Sequence, residues 1–399
     1  MRESRYVRTM APTRGFSSDK LTLAVAAGVV AGYVGYLVQL FLAHGWIVDA
    51  SGHPLPTDFM SLWTAGHLTL RGQTLSAYEP HLRHAAQLAV VGHSFPGFFD
   101  FAYPPNFLFV VAALAILPYA SAFLTWTALT LALYAATLAA IARSNRAIIV
   151  ALAAPWTFAV VEVGQTGFLT AALIGTVLLN LERRALIAGV ALGLLTYKPQ
   201  FGLLFPLVLV AGGYWRAFGW ACLSAAIAYA LSGIVFGFET LAAFIHQLPA
   251  SADALLRQGG VGFNKLQSVY GITRWLGGGD GAGWIAQAIV TAGAAVAVVA
   301  LWRSRTSFDV KAAGLCAATL LATPYIFAYD LPLLAIGFSF LFREHRFDIF
   351  ELLAIAAALV FFLAFALLAI PLALFSSVAL AVMVLRRFRG VEAIGGRST

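Results

Sequence analysis

Residues 21–43 read LTLAVAAGVVAGYVGYLVQLFLA, 23 positions without one charged side chain. At 1.5 Å per residue such a run makes a helix of about 35 Å, enough to cross a hydrocarbon core of about 30 Å. It is also too long for the apolar stretch of a typical cleaved signal peptide. The reading is a retained first membrane helix, preceded by a basic arm, 1–20, that carries Arg2, Arg5, Arg8, Arg14 and Lys20.

The rest of the chain repeats that pattern. Of its 399 residues 61% are hydrophobic and only 11% charged, against roughly a quarter charged in soluble domains. A soluble fold could not cover so much apolar surface with so little polar surface, whereas a lipid solvent removes the difficulty. The net charge of +8 would suggest nucleic acid in a soluble protein. Here the basic residues sit in short clusters between apolar runs, so membrane orientation explains them and no nucleic-acid partner is expected. Cys222 and Cys316 lie inside apolar runs and read as small hydrophobes, with neither a disulfide nor a metal site implied.

Further apolar runs fall at 119–142, 147–162, 168–181, 186–199, 200–213, 217–237, 284–302, 311–328, 331–342, 349–367 and 368–385. Prolines 155, 199, 206, 324, 332 and 371 kink or punctuate them, which is tolerable where neighbouring helices satisfy the freed backbone. The segment 104–117, PPNFLFVVAALAIL, is ambiguous. As a helix it would reach roughly 20 Å, short of a crossing. The basic residues arbitrate. If 104–117 stays at the outer surface, the clusters Arg143/Arg146, Arg183/Arg184, Arg216, Arg303/Arg305/Lys311, Arg343/Arg346 and Arg386/Arg387/Arg389/Arg397 join the N-terminal arm in the cytoplasm. Nineteen of the 25 basic residues then lie inside, as the positive-inside bias requires.

The expected architecture is an all-α polytopic membrane bundle of about 12 transmembrane helices spanning 21–385, with both termini cytoplasmic and a cytoplasmic tail at 386–399. Two large outer loops, 44–118 with short surface helices and 238–283, hold seven of the eight histidines. The inner loops are only a few residues long, so a site is expected on the outer face.

Several polar residues on that face are candidates for chemistry. Thr57-Asp58 precedes apolar residues at helical spacing, so Asp58 reads either as a helix N-cap or as a carboxylate at the membrane boundary that acts as a base or holds a cation. His67 and Arg71 follow on one face of that helix, Arg71 as a phosphate ligand or a solvated charge. The string FAYPPN at 101–106 places Tyr103 before a helix start. Glu162, Gln165, Lys198 and Asp330 interrupt apolar runs near their ends, where ionisable groups are costly unless paired; snorkelling is the bland alternative. Lys198 stands out as a cation on the face otherwise cleared of them, and a lipid phosphate is its natural partner. In the second loop Asn264, Lys265 and Gln267 are placed to meet a polar ligand, and Trp275 to stack on a sugar or join the interfacial belt. The GGGD run at 277–280 is a turn and carries no phosphate-binding glycine spacing.

These strings occur in a familiar order: Asp58-Phe59, Leu70-x-Gly72, Tyr78-x-Pro80, Tyr103-Pro104-Pro105, Leu117-Pro118, Gly164-Gln165-x-Gly167, Ala188-Gly189-x3-Gly193, Lys198-Pro199, and Pro324 before an aromatic patch. Over about residues 20–345 the chain resembles the bacterial membrane glycosyltransferases of family 87, in the GT-C superfamily. The resemblance implies a GT-C-type fold in the bacterial cytoplasmic membrane. It also implies transfer of one sugar, often mannose in the family, from a polyprenyl-phosphate donor to a lipid or glycan acceptor on the outer leaflet. Asp58 matches the catalytic base and Lys198 the donor-phosphate ligand, with Arg71 a second phosphate candidate and His67, Tyr103, Glu162, Gln165, Asn264, Lys265 and Asp330 substrate-binding candidates. Some relatives keep an acidic metal ligand where this chain has Glu162 and Gln165 without an Asp-x-Asp, so no metal or other cofactor is expected. The rival from another class is a transporter or flippase, which would place ionisable residues near mid-bilayer and repeat one half of the chain in the other; neither pattern is visible.

Overall fold

The computed structural model describes residues 18–95, 99–344 and 346–395. Arg2, Arg5, Arg8, Arg14 and Arg397 of the basic arm and tail lie outside the described residues. The described chain is helical, with no strand beyond two isolated bridges at 46–54. In order the helices are α1 (Ser18–Leu42), α2 (Phe59–Leu70), α3 (Pro80–Val91), α4 (Leu108–Leu114), α5 (Tyr119–Ala142), α6 (Asn145–Leu152), α7 (Pro155–Val163), α8 (Gly167–Asn180), α9 (Ala185–Leu194) and α10 (Pro199–Gly202). They continue as α11 (Phe205–Ala211), α12 (Trp215–Phe236), α13 (Phe238–Ala252), α14 (Val269–Trp275), α15 (Asp280–Arg303), α16 (Phe308–Leu321), α17 (Pro332–Glu344), α18 (Ile349–Leu368) and α19 (Leu374–Gly395).

Five of these, within α1, α5, α12, α15 and α18, are long and apolar enough to cross a membrane. Most of the other expected crossings are shorter or broken, although α19 is 22 residues long, and proline explains several of the breaks. Pro155 opens α7 and divides the 147–162 run; Pro199 opens α10, and Pro206 sits in the first turn of α11. A proline lacks the N–H that a first turn leaves unbonded, so it starts a helix easily and cannot continue one. The 104–117 segment forms a 3₁₀ turn, Pro105–Phe107, and the seven-residue α4, too short to cross. The second loop is mostly helical, through α13 and α14. At the C-terminus α19 runs through the expected tail boundary at 386, because Arg387 pairs with Glu344 and Glu351 and keeps that turn packed.

Side-chain contacts give the direction of the helices. Tyr134 of α5 stacks on Phe168 of α8 at 5.2 Å, and Gly175 meets Thr137 and Ile141 one and two turns further on, so α5 and α8 run parallel with α6 and α7 returning between them. Gly189 faces Ala217 and Trp220, and Gly193 faces Ser224, so α9 and α12 are parallel and closely packed. Small residues at such a seam let backbones approach, which drives helix association where lipid supplies no hydrophobic push.

The two ends of the bundle differ. At one, Arg343 pairs with Asp309, Arg386 with Asp348, and Arg387 with Glu344 and Glu351. The turns at 181–184 and 212–214 belong to this end, through the Tyr214–Trp302 contact and the action of Glu182 on Lys311. The opposite end gathers the helix breaks at 164–166, 195–198 and 322–331 together with both large loops. Those loops are tied to each other by Arg83 and Gln247, which both bond Asp100.

Gly167 sets how closely the breaks approach. A Cβ there would lie 1.7 Å from the Tyr329 carbonyl oxygen, a backbone atom that no rotamer change moves. Gly167→Ala should therefore cost about 1–3 kcal/mol, read as a lower thermal midpoint in detergent. Gly219→Ala on α12, where a Cβ meets open space, should leave the midpoint unchanged; equal effects of the two would refute the close-approach account.

Candidate active site

Asp58 ends the extended segment before α2. It occupies the N-cap position, yet its side chain caps nothing; its carbonyl instead accepts the Ser61 hydroxyl at 2.9 Å. Of the two sequence readings, the helix cap is therefore corrected: Asp58 has helical backbone angles, and its carboxylate is turned to Gln165. Phe59 fixes the adjoining backbone, fully buried against Tyr119 and Phe123 at ring distances of 5.4 and 5.2 Å.

Gln165 comes from the α7–α8 turn, which Gly164 makes possible with a φ of +68°. Its Oε1 accepts the Tyr103 hydroxyl at 2.9 Å and the Thr166 amide at 3.0 Å, and its side chain lies beside the Asp58 carboxyl and favours the ionised form. Tyr103 is clamped in turn: its carbonyl accepts the Tyr78 hydroxyl at 3.1 Å, and its ring lies over Tyr197. Burial raises the Tyr103 phenol above its ordinary range, so it stays a donor.

Beside this group lies a buried ion pair. Lys198, 6% exposed, donates from Nζ to Oδ1 of Asp330 at 2.8 Å, and Asp330 is 2% exposed. Asp330 Oδ2 accepts the Phe327 amide at 3.1 Å. The rings of Phe201 and Tyr329 stand 5.4 and 5.3 Å from the ammonium, close enough for cation–π attraction. Each partner sits at a helix break, Lys198 between α9 and α10 and Asp330 in a single 3₁₀ turn before α17.

Lys265, Lys198 and Asp330 all act electrostatically on Asp58. Burial is the largest influence and raises the Asp58 carboxyl above its usual range, opposed by Gln165 and the two lysines. Lys265 is exposed at the rim. Its loop is anchored by Gln267, which bonds the Ile326 carbonyl at 2.7 Å through its amide and accepts the Ala373 amide at 3.0 Å.

The structure thus brings together Asp58, Tyr103, Gln165, Lys198, Asp330 and Lys265, with Asn264 adjoining on the Lys265 loop. Other candidates stand apart. His67 stacks on Trp63 at 4.8 Å and lies about 14 Å along α2 from Asp58; Arg71, at the far end of that helix and exposed, lies about 20 Å away. Glu162 acts through its carbonyl, which accepts the Trp46 indole at 2.9 Å, and it is not among the groups influencing Asp58. Among the described residues no three His, Cys, Asp or Glu side chains gather as a metal site would need. Sequence reasoning missed Tyr119, joined to Thr57 at 3.2 Å, as well as Tyr197 and Tyr329. Their one signal was adjacency to the Leu-Pro, Lys-Pro and Asp330 landmarks.

Fold and cluster define a multi-helix membrane protein with a polar site at one end of its bundle. The model of glycosyltransferase family 87 matches residues 101–324, more than half of the chain. The chain belongs to glycosyltransferase family 87 and is a membrane glycosyltransferase. No curated protein and no solved structure matches it significantly. Tyr103, Glu162, Gln165, Lys198, Asn264 and Lys265 lie inside the matched segment; Asp58, His67, Arg71 and Asp330 lie outside it.

Removing one partner of a buried ion pair strands the other. Asp330→Asn should cost about 3–5 kcal/mol, while replacing both partners with apolar residues of similar size (Lys198→Met with Asp330→Leu) should recover most of it. Thermal midpoints of the singles and the double test this; additive losses would contradict the pairing.

Proposed function

We propose that this chain transfers a sugar from a polyprenyl-phosphate donor to a lipid or glycan acceptor at the outer face of a bacterial cytoplasmic membrane. Asp58 is the base and Lys198 holds the donor phosphate. The observation that carries the reading is the meeting of Asp58–Gln165 with Lys198–Asp330 at the end of the bundle opposite the arginines. Positive-inside bias makes the arginine-rich end cytoplasmic, so the cluster faces outward, and the proposed topology has 12 crossings with both termini inside. The family match also favours a transferase over a transporter.

In an inverting displacement the acceptor oxygen attacks the anomeric carbon as the bond from that carbon to the phosphate oxygen breaks. The acceptor proton passes to Asp58, and polyprenyl phosphate leaves with its new charge beside Lys198. Gln165, held by Tyr103, keeps the carboxylate oriented. Asp330 holds the buried ammonium in place until the donor phosphate competes for it. Lys265 at the rim attracts the anionic donor. Asn264 contacts the polar ligand, and His67, Arg71 and Glu162 are left for the more distant parts of donor or acceptor.

Asp58→Asn should reduce transfer of radiolabelled sugar from a polyprenyl-phosphate donor by at least a hundredfold, about the low end of general-base contributions, with insertion and yield unchanged. Full activity in that variant would eliminate Asp58 as the base. Lys198→Ala should raise the KM for the donor more than that for the acceptor.

The pH dependence has a defined sign. A base must be ionised, and burial raises the Asp58 carboxyl, so activity should be lost as pH falls through a value above the ordinary aspartate value of about 4. Lys265 favours the ionised form, so Lys265→Ala should move that acidic limb to higher pH. A limb that stays in place or moves down would remove Lys265 from the electrostatics of the base.

A further inference from the structure

At the arginine-rich end, away from the candidate active site, the turns 181–184 and 212–214 enclose an open cavity of about 630 Å³. Arg183, Arg184 and Arg216 line it with Glu182, Trp215 and Trp220. The three guanidiniums make no hydrogen bond or ion pair among the described residues, unlike Arg343, Arg386 and Arg387 at the same end, each of which holds a carboxylate. Glu182, the one carboxylate in that lining, acts electrostatically on Lys311 and Tyr214 and makes no ion pair with the three arginines among the described residues.

The surroundings identify what such a cavity would take. Trp215 and Trp220 are exposed at 61% and 39%, as tryptophans are at a membrane–water interface. From the cavity an apolar track runs down the paired helices, with Leu186, Val190 and Leu194 exposed on α9 and Leu223 and Ile227 on α12. A phosphate at the arginines would therefore continue into acyl chains along that track, whereas a soluble anion would leave the track unused. The starts of α9 and α12 also meet here without side-chain caps, adding partial positive charge of the same sign.

We propose that this cavity binds the headgroup of an anionic phospholipid from the leaflet at that end of the bundle, with Arg183, Arg184 and Arg216 on the phosphate and the acyl chains on the α9–α12 track. The proposal is independent of the reaction assigned to Asp58. Basic pockets between membrane helices recognise anionic headgroups by charge, and each cation near such a surface contributes about fivefold in affinity.

The test is native mass spectrometry of the purified full chain titrated with phosphatidylglycerol, phosphatidylcholine of the same acyl length, and inorganic phosphate. Saturable retention of phosphatidylglycerol above phosphatidylcholine is expected, with no displacement by excess phosphate. Arg183→Gln with Arg184→Gln and Arg216→Gln should weaken it about a hundredfold, and each single change about fivefold; the singles decide the matter if the triple variant does not fold. Equal retention of both lipids, or unchanged retention in the variants, overturns the proposal. Displacement by phosphate overturns the lipid assignment in favour of a soluble anion.

Discussion

Taking an ammonium and a carboxylate out of water costs several kcal/mol each even after relaxation, and their attraction offsets this only with good geometry and further hydrogen bonds. The Lys198–Asp330 pair meets those conditions: 2.8 Å apart, a second carboxylate oxygen on the Phe327 amide, and two aromatic rings around the ammonium. An apolar pair of similar size would recover most of the same stability, so packing alone does not account for the charges. Their position does: each sits at a helix break, and the breaks meet where α8 abuts the Tyr329 carbonyl through Gly167.

That constraint organises the end of the bundle around it. Broken helices expose backbone groups, which in a membrane must be buried in protein or face a water-filled cavity. Here the loop carrying Gln267 covers the 322–327 segment, Tyr103 and Tyr197 close the α7–α8 turn, and Arg83, Asp100 and Gln247 join the two large loops over both. The cover leaves Asp58 and Lys265 to balance the pair, so two carboxylates and two ammonium groups share the site. A further anion entering such a balanced set must compete for Lys198, which suits a step whose product is a phosphate.

The long crossings were legible in the sequence because a charge-free run has one physical meaning in this composition: α5 ends where the apolar run ends, at 119 and 142. The broken crossings were legible only as apolar. Where a helix stops inside such a run depends on proline and on what packs against the freed backbone, and the second is a tertiary matter. Among the site residues, Lys198 and Asp330 stood out because charge in an apolar run is expensive, but nothing local showed that they pair across 132 positions. His67 and Arg71 were drawn in by sharing a helix with Asp58, and the rise of that helix carries them away. Tyr119 and Tyr329 were hidden because an aromatic residue at the end of a membrane helix ordinarily belongs to the interfacial belt.

The family match begins at residue 101, so Asp58 comes from a part of the chain outside it, yet the residues that hold it come from within. Gln165 stands beside the carboxylate and favours its ionised form, and Phe123 with Tyr119 grips the neighbouring Phe59. The site is therefore completed by docking α2 and its leading loop onto a scaffold that already contains the amide, the phenol and Lys198. Such a division makes the placement of Asp58 depend on residues contributed by the matched segment. It also explains why the carboxylate needs so many fixed neighbours: a group delivered by a loop gains its precision from what it lands on.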